Sequence, residues 1–378
     1  MRIAQVVPFY HPQIGGVETH VRSLAQGCAA AGDEVTVLTH QSGGSSSDEM
    51  IESVRVLRFP LSVRSTTYPF SISLFSYLRQ HATDFDLVHS HSYHTLGGHA
   101  AIRSKLPFVF TPHYHGTGHT PFRVLLHRLY RPSGAWQFRE ADAIICVSDA
   151  ERALVVKDFS DAAGKITTIP NGTNFKKLTP SQDGGRYDEP MVLTVGRLER
   201  YKNLDLVIAA FQALPSAATL VVVGDGPDRN RLEKLARSGQ PGWPVRFTGR
   251  ASDQQLAGLL ARATVVTSAS DHEAFGLTLA EGLASGARVV ASGIPAHREV
   301  GRLAGHDAPV TFADPRDTPQ FAKALAESLA GGRVTAGELK LPSWDQVVAA
   351  TRELYARTQA RGHPGRGGGV RDRRIQVS

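Results

Sequence analysis

The sequence predicts two doubly wound, Rossmann-like α/β domains facing each other across a cleft, and three observations predict it. Apolar runs of strand length alternate with stretches of helical periodicity along almost the whole chain. The alternation breaks once, at the turn Ile169-Pro170-Asn171-Gly172 and the polar stretch Lys176 to Glu189, and then restarts. Glycine-containing turns follow several strands, at the carboxyl ends where open α/β sheets hold their ligands. A length of 378 residues agrees, since domains take ~100–200 residues each. The expected division is 1–174, 175–342, a closing helix 343–357 and a tail over 361–378.

Composition narrows the function classes. Hydrophobic and charged contents of 41% and 20% are those of an ordinary globular protein. No apolar run approaches the ~20 residues of a membrane span. The N-terminal MRIAQVVPFY lacks the charged, apolar and small-residue order of a signal peptide, so a cytoplasmic location is expected. Cys28 and Cys146 stand among apolar or small residues and imply two buried thiols, not a disulfide framework. The net charge is +7, but residues 361–378 hold five Arg against one Asp, which leaves about three positive charges for the body. That is no nucleic-acid footprint. The Gly- and Arg-rich tail has almost nothing to bury and is expected to be disordered.

Taken in order, Ile3 to Val7 is the first strand. Gly15–Gly16, with Glu18 after them, open a helix whose apolar face includes Val17, Val21, Leu24 and Cys28. Bare backbone N–H groups at such a helix start form an anion cradle, although a glycine pair alone is a weak signal. Gly32–Asp33 turns into the strand Val35 to Thr39, residues 42–49 read as a mobile polar loop, and Val54 to Phe59 is a strand. From His81 to His127 the chain holds nine of its 16 histidines. His89, His91 and His94 offer imidazole ligands, but no Cys, HExxH or carboxylate-flanked pattern accompanies them, so no metal is expected. Asp84-Phe85-Asp86 reads as a turn leading into a strand. Strands 86–91 and 107–111 deliver polar side chains at their carboxyl ends; Pro112 stops the second, and His113, Tyr114 and His115 follow in a loop. Residues 121–131 mix Val124, Leu125, Leu126 and Leu129 with Arg123, Arg128 and Arg131. Such a basic amphipathic helix suits an anionic membrane surface or a phosphorylated acceptor, and equally well ordinary packing on the body. Ala143 to Val147 is a strand, and Ser148-Asp149 caps the helix Ala150 to Asp158.

The second half gives strands at Met191–Val195, Leu220–Val223, Val245–Thr248, Thr264–Thr267, Arg288–Ala291 and Val310–Thr311, with helices such as Leu204–Leu214 and Asp228–Arg237 between them. After the first strand comes GRLERYKN. Gly196 turns the chain, and Arg197 and Lys202 stand between a strand end and a helix starting near Asn203. A pyrophosphate suits that place, which offers one planar bidentate donor and one flexible ammonium beside a helix N-terminus. In a site lacking metal those two cations would carry the charge building on a leaving diphosphate. Val222 to Pro227, VVGDGP, is a glycine turn without dinucleotide-fingerprint spacing. The strand 245–248 runs into Gly249–Arg250, where the backbone can read a base. Most chemistry lies in Asp271 to Gly286, DHEAFGLTLAEGLASG, which reads as a turn and helix after a strand. Glu273 sits in the turn and Glu281 two helical turns on, at ~3.6 residues per turn, so they mark two separated points along one ligand. Between them Gly276, flanked by Phe275 and Leu277, lets backbone N–H groups at the helix start approach an anion.

In order and spacing, GGVE at 15–18, TPH at 111–113, IPNG at 169–172, VGRLERYKN at 195–203, VVGDGP at 222–227, FTGR at 247–250, EAFGLTLAE at 273–281 and GIP at 293–295 resemble the family 4 retaining, nucleotide-sugar-dependent glycosyltransferases. The resemblance covers roughly residues 1–357 and implies the GT-B fold. It implies transfer of a mannose-, glucose- or N-acetylglucosamine-class sugar from a UDP-, GDP- or ADP-sugar to an acceptor hydroxyl on a small molecule, a polysaccharide or a lipid. By similarity, Glu273 holds donor-sugar hydroxyls, the backbone of Phe275, Gly276 and Leu277 meets the phosphate or sugar, and Glu281 binds the ribose. Arg197 and Lys202 hold the diphosphate, Gly15 and Gly16 close over it from the acceptor-binding first domain, and Arg250 lies on the nucleotide side. The histidine facing the reacting sugar matches His113, with His115 open as the alternative. Neither metal nor separate cofactor is implied, and residues 343–355 resemble the family's last helix, which crosses back onto the first domain. The turn IPNGTN departs from the family, which often has a hydrophobic residue and Asp at 173 and 174. Two rivals use the same scaffold. A nucleotide-sugar 2-epimerase would need acid/base carboxylates besides Glu273 and Glu281, and none is found. A non-catalytic sugar-nucleotide-binding protein is opposed by the intact set Arg197, Lys202, Glu273 and Glu281. Fold alone does not fix function, so the expectation rests on those side chains and His113.

Overall fold

A computed structural model describes residues 1–361 except 14, 42, 64–68, 117–120, 174–189, 216–217, 240–243 and 335–338, and, within 121–129, the backbone only. The domain boundary and the basic tail read from the sequence lie outside the described residues.

Two sheets form. The first runs β1 (Arg2–Val6), β2 (Glu34–Gln41), β3 (Ser47–Ile51), β4 (Val54–Pro60), β5 (Leu87–His91), β6 (Phe108–Thr111), β7 (Ala143–Cys146) and β8 (Ile166–Thr168), in the spatial order β3-β4-β2-β1-β5-β6-β7-β8. Its helices are α1 (Gly16–Ala30), α2 (Ile72–Gln80), α3 (Gly97–Ser104), α4 (Pro121–Glu140) and α5 (Asp149–Asp158). The second sheet is wholly parallel: β9 (Met191–Val195), β10 (Thr219–Val223), β11 (Val245–Gly249), β12 (Val265–Ser268), β13 (Arg288–Ala291) and β14 (Val310–Phe312), ordered β11-β10-β9-β12-β13-β14. Its helices are α6 (Leu204–Gln212), α7 (Arg229–Arg237), α8 (Asp253–Arg262), α9 (Leu277–Ala284), α10 (Pro295–Ala304) and α11 (Thr318–Ala330); α12 (Trp344–Ala360) ends the described chain.

The central strands of both sheets are buried on both faces, as parallel strands covered by helices require. On β6, Phe108 and Phe110 join Leu74, Leu78 and Phe138 on one side, while Val109 joins Val21, Leu24 and Leu354 on the other. α12 thus belongs to the first sheet's core although it follows the second. Its approach to α1 is close: a Cβ on Gly27 would lie 2.3 Å from Val348 Cγ2. Among the described residues no helix is long and apolar enough to cross a membrane.

Two sequence expectations change. The polar loop 42–49 contains part of β3, an exposed edge strand paired antiparallel to β4. Glu52 and Ser53, with φ of 47° and 69°, make the two-residue turn between them, and Asp48–Arg55 and Glu49–Arg58 ion pairs lie across the strands. An edge strand with no buried face has no apolar alternation to reveal it. The helix seen at 121–131 extends to Glu140, running on through Pro132.

Candidate active site

The second domain supplies one half of the site. Beyond β9 the chain makes a short 3-10 turn, Arg200–Lys202, and Asn203, with φ of 49°, starts α6. Asn203 Nδ2 donates to Ala269 O at 3.0 Å, and Asp271 N donates to Tyr201 O at 2.9 Å. These bonds fasten the loop after β9 to the loop after β12. Lys202 Nζ then reaches Glu273 Oε1 at 2.6 Å. Burial opposes both charges, but their mutual attraction prevails: Glu273 is held below the ordinary carboxylate range and Lys202 above the ordinary ammonium range. The Ser270 hydroxyl acts in the same direction on Glu273.

Gly276, with φ of 103°, is the N-cap of α9. A side chain would be strained in that conformation and its Cβ would lie 3.2 Å from His297 Cδ2. Phe275 is buried in the core, so its backbone, and that of Gly276 and Leu277, is what faces the helix start. Glu281 stands half-buried on α9; burial first, and then Asp253, push its carboxyl up to about 7. Arg197 is largely exposed and pairs with Glu199 at 2.7 Å. A small pocket at the ends of β9 and β12 takes in Gly196, Arg197, Lys202, Ser268 and Ser270. Arg250 is exposed beyond β11, and among the described residues no hydrogen bond or ion pair joins it to this group.

The first domain supplies the other half. Gly15 caps α1 and Glu18 stands in its first turn. Burial pushes the Glu18 carboxyl up and the Arg197 charge draws it down, so Arg197 acts across the cleft on the start of α1. His113 follows β6 in the left-handed region, with φ of 47°. Its ring stands edge-on to His20 with centroids 4.9 Å apart, whereas the His115 ring lies 5.9 Å from that of His94. The two histidines flanking Tyr114 therefore join different groups. Burial holds His113 well below the ordinary imidazole range, in the neutral form.

The Glycosyltransferase Family 4 profile matches residues 14–177, and the Glycosyl transferases group 1 profile matches residues 177–334. The chain belongs to glycosyltransferase family 4. It is similar to glycogen synthase of Mycobacterium tuberculosis, 30% identical over 395 residues, covering 94% of each chain. It is also similar to a component of the human phosphatidylinositol N-acetylglucosaminyltransferase, 27% identical over 311 residues, covering 78% of this chain and 63% of that protein. Among solved structures, sucrose-phosphate synthase from Thermosynechococcus elongatus superposes with a TM-score of 0.77 at 23% identity, covering 96% of this chain and all of that one, which bears on the fold. The fold is GT-B.

In this family 4 glycosyltransferase several site residues were not read from the sequence. Ser148 Oγ donates to the carbonyl of Ala274, next to Glu273, at 2.6 Å across the cleft. Glu299 of α10 accepts from Asp149 N at 2.7 Å and Ala150 N at 2.9 Å, so the second domain's carboxylate caps the first domain's α5. Glu151, buried in α5, accepts from Tyr114 N and Val147 N and holds the loop carrying His113. His297 is buried beside Glu273, and its Nδ1 faces Ser292 O at 3.0 Å. Ser148 is legible as a cap, but its partner lies in the other domain. The basic residues read on α4 are Arg123, Arg128 and Arg131, and the side chains of the first two lie outside the described residues. Near that helix's middle, Tyr130 OH donates to Thr95 O and Arg131 Nη2 to Asp158 O, both at 3.0 Å, so this part packs on the body. A separate apolar groove of about 450 Å³ lies between α2 and α3, includes Phe70, Phe75 and Leu96, and holds none of the residues above.

Proposed function

We propose that this glycosyltransferase is a retaining hexosyltransferase, moving a mannose-, glucose- or N-acetylglucosamine-class sugar from a nucleoside diphosphate to an acceptor hydroxyl. The observation that carries the reading is the Lys202–Glu273 pair beside the glycine-capped start of α9. The donor diphosphate lies against that helix start, with Arg197 and Lys202 as cationic donors and Gly15–Gly16 closing from the first domain. Glu273 accepts from sugar hydroxyls, Glu281 from the ribose, and Arg250 borders the nucleotide. As the bond from the sugar's anomeric carbon to the phosphate oxygen breaks, the negative charge passes to the diphosphate, where Lys202 and Arg197 stabilise it without a metal ion. The acceptor hydroxyl attacks the same face and gives its proton to the departing phosphate oxygen. His113 meets the sugar from the first domain.

The names of the relatives include a polysaccharide, glycogen, and a lipid, phosphatidylinositol. They support an acceptor in polysaccharide or glycolipid synthesis, and a glycosylated natural product is the further acceptor class of this reading. We place the reaction in the cytoplasm, with helix 121–131 as its contact if the acceptor is a membrane lipid.

The test begins with thermal shifts for UDP, GDP, ADP and their sugar conjugates, with and without Mg²⁺. One nucleotide should raise stability by ~2.7 kcal/mol at a hundredfold excess over its Kd, independently of Mg²⁺. With that donor, Lys202→Ala and Glu273→Gln should each lower kcat by at least ~10²-fold, with the circular dichroism spectrum unchanged. Proton NMR of the product should show the donor's anomeric configuration. Silence across the panel, or an inverted product, overturns the reading.

A further inference from the structure

Three elements of the first domain deliver imidazoles to one point: His20 from α1, His91 from the end of β5 and His113 from the loop after β6. One ring nitrogen of each lies within 4.8 Å of the other two. The ring centroids are 4.9 Å apart for His20 and His113, 5.5 Å for His20 and His91, and 5.9 Å for His91 and His113. Tetrahedral metal–imidazole bonds of ~2.0–2.1 Å set the ring centres of two ligands about 5 Å apart. The rings therefore stand close to the spacing of ligands on one ion.

A hydrogen-bonded histidine core is the ordinary alternative, and the atoms oppose it. His20 Nδ1 faces Asn171 Oδ1 at 2.7 Å. A carbonyl oxygen only accepts, so the proton sits on Nδ1 and the lone pair on Nε2, which has no partner among the described residues. His91 is fully buried, and neither of its nitrogens has such a partner; nor does His113 Nε2. Their neighbour His89 is different. It lies 4.0 Å from His91, ring to ring, and places its two nitrogens on Tyr355 OH and Thr111 Oγ1, each at 2.7 Å. Burial keeps all three imidazoles of the cluster neutral, the form that ligates. A ring anchored through its other nitrogen to an amide oxygen is the outer-shell pattern of metal-bound histidine. Hard cations such as Mg²⁺ and Ca²⁺ take oxygen ligands, whereas an all-imidazole set suits zinc and its neighbours.

We propose that His20, His91 and His113 form a binding site for one divalent transition-metal ion, zinc or a close relative, with a fourth position left to water or to an oxygen of a bound molecule. The site lies in the first domain, apart from Arg197 and Lys202; it shares His113 with the hexosyltransferase reading, but its argument uses only the placement of the three rings. Ligation through Nε2 would fix the ring of His113 at the cleft.

The tag-free full chain, stripped with a chelator, is titrated with Co²⁺ and then Zn²⁺. The expected result is one ion per chain by mass spectrometry of the metal, a visible Co²⁺ band of tetrahedral type displaced by Zn²⁺, and no response to Mg²⁺. His91→Gln and His20→Gln should each weaken Zn²⁺ binding by about 100-fold while leaving the nucleotide-induced thermal shift in place, which also reports that each variant folds. Wild type and both variants binding Zn²⁺ alike, or no stoichiometric Co²⁺ uptake, overturns the proposal. Metal uptake without any nucleotide response would instead count against the hexosyltransferase reading alone.

Discussion

At the scale of single residues, Glu281 gives the sharpest test. Its carboxyl is pushed up to about 7 by burial and by Asp253, above the ordinary value of 4.5. The fold therefore favours its neutral form, so its contribution to stability is fully present below the ordinary carboxylate range and is lost as pH rises through about 7. Ribose binding runs the other way, because the ionised form accepts hydroxyl hydrogens at both oxygens. Nucleotide affinity should rise by about tenfold between pH 6 and pH 8, as one proton per pH unit allows below the pKa. The dependence should vanish in Glu281→Gln, read by calorimetric titration at each pH. A slope that survives in the variant removes Glu281 from the ribose. Lys202 and Glu273 titrate far from this range, since each sustains the other's charge.

At the scale of elements, α5 joins the two halves of the site. Its start is capped by Ser148 from its own chain segment and by Glu299 from the opposite domain. Ser148 also holds the carbonyl beside Glu273, while Glu151, one turn on, holds the backbone beside His113. The loops carrying Glu273 and His113 are thus both fastened to one helix start. Glu299→Ala removes two hydrogen bonds to a charged acceptor, each worth ~1.5–3 kcal/mol in other proteins. It should lower stability by about 1–3 kcal/mol in urea unfolding, less than the sum of the two bonds because water can replace the carboxylate as the domains part. Its kcat should fall by more than nucleotide affinity does. Ser148→Ala should show the same split, with kcat restored in part by Ser148→Thr. Equal losses in kcat and nucleotide affinity would make the helix start a structural element only.

At the scale of the whole molecule, α12 binds the end of the chain to its beginning. Val347, Val348, Leu354 and Tyr355 are buried against α1 and the first sheet, and Arg352 reaches Asp33, which also takes the N-terminal amine. Burying each such apolar side chain contributes ~1.5–3 kcal/mol, so four approach the ~5–15 kcal/mol by which a protein is stable. A chain ending at Leu341 should therefore fail to give a soluble protein with a cooperative thermal transition. A truncated chain that melts like the full one would show that α12 adds little. Removing only residues 362–378, which supply much of the positive charge, should leave the transition in place.

The fold class and the glycine turns were legible because each has a local signature, whereas the Lys202–Glu273 ion pair joins two distant loops and was not. Strand and helix periods span a few residues, and a glycine at a helix start, such as Gly276, is dictated by its own backbone angle. The placement of Glu273 in a turn and Glu281 on the helix after it was legible for the same reason. Tertiary structure alone decided the rest. β3 has no buried face to pattern it, and His297 looks in sequence like any helix residue. The partners of Ser148 and Glu299 lie across a domain boundary, and His20, His91 and His113 meet only when a helix, a strand end and a loop converge. Contacts between distant segments leave no period in the chain, because they are fixed by the packing of the sheets and not by the residues on either side.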